Sequence, residues 1–85
     1  MLYKKIVEVE WLDAQSIADP IELEALKELK PLTTFSVGYL VVDKKDYIIL
    51  VFTDFGNGVI KHAQLIPRNM IQNIDQIKIT KVNKA

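Results

Sequence analysis

Eighty-five residues suffice for one hydrophobic core and no more, and a hydrophobic fraction of 49% with 26% charged residues marks a folding chain, not a disordered one. Cysteine is absent, which excludes a disulfide framework and a thiolate zinc site. Eleven basic residues balance eleven acidic ones, so the body as a whole is not the strongly positive surface that grips nucleic acid.

Lys5 to Leu12 alternates as a strand, with Val7, Val9 and Trp11 on one face and Ile6, Glu8, Glu10 and Leu12 on the other. The period then changes. Asp19 suits a helix N-cap, Pro20 the first helical position, and Glu22 the acid of a capping box, while Pro31 stops the segment. The spacing of Ile21, Ala25 and Leu29 predicts a short helix that buries one stripe and solvates Glu22, Lys27, Glu28 and Lys30.

Phe35 to Val42 and Tyr47 to Thr53 are rich in β-branched and aromatic residues and flank the polar connection Asp43-Lys44-Lys45-Asp46, the pattern of a hairpin. The run Tyr47 to Phe52 is apolar on both faces, so a central strand is expected whose outer face is covered by the helix or by another subunit. Asp54 to Gly58 holds residues that tolerate positive φ, and the chain is expected to reverse there and return as a strand from Val59 to Ile66. Pro67 to Gln72 reads as one helical or 3-10 turn, and Gln76 to Val82 as the last strand, with Ile77 and Ile79 on one face. Asn83 to Ala85 is expected to fray.

This order predicts a single mainly β domain over residues 1–85: a small five-stranded SH3-like or Sm-like barrel, with one short helix in the first long connection and a helical turn before the last strand. The opening Met1-Leu2-Tyr3-Lys4-Lys5 has no apolar run of the signal-peptide kind, and no segment reaches the roughly 20 apolar residues of a spanning helix. A cytoplasmic location and no membrane partner are the expectation.

Chemistry is thinly signalled. His62 is the sole histidine, and the sequence pairs it with neither a nucleophile nor an orienting acid. Asp13, Asp19, Glu22 and Glu24 lack the spacing and glycine of a calcium loop and are better read as a solvated face. Gly56-Asn57-Gly58 lacks the lysine and hydroxyl residue of a nucleotide-binding loop and reads as a turn. No metal, no cofactor and no enzymatic activity are expected.

Binding is the remaining class. Arg68 and Asn69, at a helical start, are candidates for an anionic ligand, with Tyr39, beside the strand glycine Gly38, and His62 as further contacts. Tyr47, Ile49, Val51 and the loop residue Phe55 are candidates for an interface.

Charge is uneven along the chain: residues 8–28 carry a net −6 and residues 61–85 a net +4, so the two ends can attract within a subunit or between subunits. The basic end, through Lys78, Lys81 and Lys84, carries the alternative of nucleic-acid binding, although the aromatic strands are nearly free of lysine.

The succession Val9-Glu10-Trp11-Leu12-Asp13, Ser36-Val37-Gly38-Tyr39-Leu40-Val41-Val42-Asp43 and Ile66-Pro67-Arg68, with Ile71 and Ile74, resembles that of small uncharacterised bacteriophage and prophage proteins. The resemblance spans most of the chain, except the charged stretch Pro20 to Lys30. It implies an accessory protein acting in the bacterial cytoplasm and brings no catalytic residues. The expected function is a non-enzymatic, oligomeric binding protein whose partner is a host protein or a small anionic, nucleotide-like ligand.

Overall fold

The computed structural model describes residues 5–14 and 16–78. Five strands, β1 (Ile6–Asp13), β2 (Leu32–Asp43), β3 (Tyr47–Asp54), β4 (Ile60–Pro67) and β5 (Ile71–Ile77), form one antiparallel sheet in the order β4-β3-β2-β1-β5. A single helical turn, α1 (Leu23–Leu26), lies between β1 and β2, and a 3-10 turn, Arg68–Met70, joins β4 to β5. β4 and β5 stand at opposite ends of the order, so the sheet is not closed by strand pairing.

The long strand β2 serves two neighbours in succession. Leu32 to Tyr39 pairs with β1, and Tyr39 to Asp43 pairs with β3, so that Tyr39 faces both Ile6 and Val51. Gly38 lies at the handover. A Cβ there would sit 3.0 Å from the Val51 carbonyl oxygen and 3.1 Å from the Phe52 ring, so a side chain would press on β3 and glycine suits this close approach of the two strands. Beyond Tyr39 the register shifts between Leu40 and Val42, leaving Val41 as the extra residue of a β-bulge, which adds to the local bend.

The alternation of β1 decides the core. Val7, Val9 and Trp11 are buried and meet Ile48 and Leu50 of β3 and Ile66 of β4, with Leu40, Ile71 and Ile74 packed at the margin. Each fully buried aliphatic side chain contributes roughly 1.5–3 kcal/mol. Across this core the Trp11 indole donates to Ser36 Oγ (3.1 Å), and the Ser36 hydroxyl donates to Gln64 Oε1 (3.1 Å). β2 and β4 are separated by β3 in the sheet, so this bond requires the sheet to curl until β4 faces the first half of β2.

Two expectations are corrected. The helix expected from Asp19 and Pro20 to Pro31 is only Leu23–Leu26, its N-cap is Glu22 without a side-chain bond, and it buries no residue. Ile21 and Leu29, expected in a buried stripe, are 42% and 41% exposed. An uncapped turn this short cannot sustain itself, and the sheet places no apolar face beneath it.

The last strand begins at Ile71, not at Gln76; residues 79–82 of the expected strand lie outside the described residues. Ile71 falls within the helical turn expected over Pro67 to Gln72, and Ile74 lies three residues on. A register shift opposite Glu10 and Trp11 re-phases the strand, so both reach the core face.

Replacing Ser36 by Ala strips the Trp11 N–H and the Gln64 carbonyl of a shared partner. The expected cost is about 1–3 kcal/mol in urea unfolding, accompanied by a change in Trp11 fluorescence of the native state.

Candidate binding surfaces

Arg68 and Asn69 are brought together, as their adjacency requires, in a concavity of about 440 Å³ that also involves Lys45 and Asp46. Pro67 ends β4 in extended geometry and opens the 3-10 turn, which carries Arg68 back toward the β2–β3 connection. There the Arg68 guanidinium donates to Asp43 Oδ1 (2.5 Å) and to the Lys44 carbonyl (2.7 Å), while its backbone N–H donates to the Asp46 carbonyl (2.8 Å). Arg68 therefore clamps the hairpin turn. Lys44 extends over the Tyr47 ring, 5.6 Å from its centre, and gives the same end of the sheet a third positive group beside Arg68 and Lys45.

Tyr39 belongs to a different place. It lines a concavity of about 350 Å³ with Phe52, Thr53, Asp54 and Gly56, at the fork where β2 leaves β3. The adjoining turn is tightly specified: Asp54 Oδ1 accepts from the Gly56 N–H (2.8 Å), and Asn57 Oδ1 from the Val59 N–H (3.1 Å). Gly56 and Gly58 adopt φ of 82° and 85°, as the sequence predicts for this reversal. Phe55 at its tip is 58% exposed.

His62 lies on β4 apart from both concavities, exposed, with φ of 61°. It is the only non-glycine residue with positive φ among the described residues, and the pairing of β3 with β4 omits the Phe52–His62 step. Histidine is one of the few non-glycine residues enriched at positive φ, but inside an alternating strand the pattern reads as ordinary strand.

Tyr47, Ile49 and Val51 line the outer face of β3, away from the core. Val51 is buried between Tyr39 and Ala63, whereas Tyr47 and Ile49 are half-buried and Leu65, opposite Ile49, is 54% exposed. α1 does not cover this face, in contrast to one of the two covers expected from the sequence. A third concavity, about 330 Å³ at the root of the β1–β2 connection, is lined by Asp13, Ala14, Leu29, Lys30, Pro31 and Met70 and is not foreseen from sequence. Met70 and Leu29 are far apart along the chain.

Lys78 is exposed just beyond β5, and Lys81 and Lys84 lie outside the described residues. Among the described residues no three His, Asp or Glu side chains gather as a metal-holding group, and no helix is long and apolar enough to cross a membrane. Compared with known proteins, the chain matches no family model, no curated protein and no solved structure.

Two substitutions probe these surfaces. His62→Gly relieves the left-handed backbone and is expected to raise the stability by about 0.5–1 kcal/mol, read as a higher urea midpoint. Arg68→Ala removes a clamp whose side chain is 37% exposed, so screening limits the loss to about 1 kcal/mol or less; faster amide exchange at Lys44 and Arg68 is the sharper readout.

Proposed function

We propose that this chain is a non-enzymatic binding module that works as a homo-oligomer. The observation that carries the reading is the distribution of large apolar side chains: sixteen are exposed among the described residues and seven are buried. Scattered exposed apolar residues are ordinary on any protein surface, but five of the sixteen, Ile17, Ile21, Leu23, Leu26 and Leu29, fall in one short segment, and such a concentration supports a surface meant for covering.

The strand order, a β2 shared between two halves, and a 3-10 turn before β5 support the SH3-like or Sm-like small-barrel reading of the fold. In the phage setting that the sequence motifs suggest, such a module binds a host protein or sequesters a small anionic ligand in the bacterial cytoplasm. In this reading Lys45, Asn69 and the Arg68 N–H groups not used on Asp43 and the Lys44 carbonyl are the donors for an anion, with Asp46 on the same lining and Lys44 adding positive charge nearby.

Light scattering on the protein as purified from cells, and again after denaturation and refolding, tests both parts. The expected result is a mass above one chain in both preparations, with ultraviolet absorbance lost on refolding if a nucleotide-like ligand is carried. A monomer at all accessible concentrations overturns the oligomer. An oligomer without a lost chromophore directs the ligand part to a host protein.

A further inference from the structure

The connection from β1 to β2 is an arm that buries none of its large apolar side chains fully, although Leu29 at its root lies beside Met70. Ile17, Ile21, Leu23, Leu26 and Leu29 are 41–64% exposed, and the arm leaves and rejoins the sheet at neighbouring positions, since Asp13 pairs with Leu32. A charged segment with five large aliphatic side chains and one uncapped helical turn is poorly stabilised by itself. An apolar partner surface would stabilise it.

We propose that the arm of one chain docks on the outer face of β3 in a second copy, so that two chains exchange arms across a two-fold axis. This rests on the reading of the protein as a homo-oligomer and names its interface. The receiving face is formed by the half-buried Tyr47 and Ile49 with the exposed Ala63 and Leu65 beside them, around a Val51 already buried within its own chain, and its centre carries no charge. At one end Lys44 lies over Tyr47, and at the other Lys61 pairs with Thr53. The arm is the complement: residues 16–31 carry Asp19, Glu22, Glu24 and Glu28 against Lys27 and Lys30, a net −2. Apolar matches apolar, and the acidic arm meets an end of the sheet where Lys44, Lys45 and Arg68 outnumber Asp43 and Asp46, while Lys61 at the other end is balanced by Asp54.

Charge also selects between the two outer faces. The outer side of β1 carries Glu8 and Glu10, with Asp75 of β5 directly opposite Glu8, and repels an acidic arm. The β3 face has no acid among the five residues named above. Because guest and receiving face belong to the same chain, a two-fold arrangement satisfies both twice over, which is how isologous interfaces form.

The absence of native cysteine makes the test clean. Leu26→Cys and Leu65→Cys chains are mixed under mild oxidation, with Leu26→Cys plus Asn57→Cys, at the tip of the β3–β4 turn, as the control pair. The mixed disulfide of the first pair is expected to form much faster than that of the control. In parallel, Leu23→Glu/Leu26→Glu, at exposed positions that the fold does not depend on, is expected to weaken self-association at least about tenfold by sedimentation equilibrium, with an unchanged circular dichroism spectrum.

If the wild type assembles but the first pair cross-links no faster than the control and the glutamate variant assembles as before, the arm interface is overturned while the oligomeric reading stands. If the wild type is monomeric throughout, both fall.

Discussion

β2 cannot run straight, because its twelve residues must pair with β1 over the first part and with β3 over the last. The bend demands a residue without a side chain at the handover, met by Gly38, and a bulge at Val41 just beyond it. The curl that follows brings Gln64 of β4 within hydrogen-bond reach of Ser36 and lets Trp11 close the polar chain. Without that curl, Ile66 and Trp11 would not share a core, and a chain this short would have no other means of enclosing one.

The same geometry creates the surfaces. Where β2 turns away from β3, a concavity opens beside Tyr39, and where β4 ends, the 3-10 turn brings Arg68 onto the carbonyl and carboxylate groups of the β2–β3 connection. The curl uses one face of each strand for the core and leaves Tyr47 and Ile49, on the second apolar face of β3, only half-buried. The arm cannot remedy this as it stands, since its one helical turn buries nothing. A partly covered apolar face and an apolar segment with no fully buried residue in one chain are the physical basis for reading the protein as a module completed by association.

Much of this architecture is legible in the residues. The β1 alternation, the Asp43 to Asp46 connection, the glycine-borne reversal at Asp54 to Gly58 and the turn after Pro67 are local features, and local sterics and hydrophobic period suffice to place them. The two misplacements arise where local pattern and tertiary context diverge. Ile21, Ala25 and Leu29 have a helical period, but a period forms a helix only when a surface receives its stripe. Ile71 and Ile74 are three apart, an interval that breaks strand alternation, but a bulge brings both onto one core face and starts the strand at Ile71.

The sequence by itself determined the mainly β class, the number and order of the strands, the residues of the β1 core face and the doubly apolar character of β3, because these follow from side-chain alternation and backbone sterics within a few residues. Only the tertiary structure decided that the arm fully buries none of its large apolar side chains, that His62 takes a left-handed backbone inside β4, and that Ser36 joins Trp11 to Gln64. It also decided that Arg68 clamps a turn more than twenty residues before it. Each of these depends on where a distant strand lies, and the curl of β2 sets that distance.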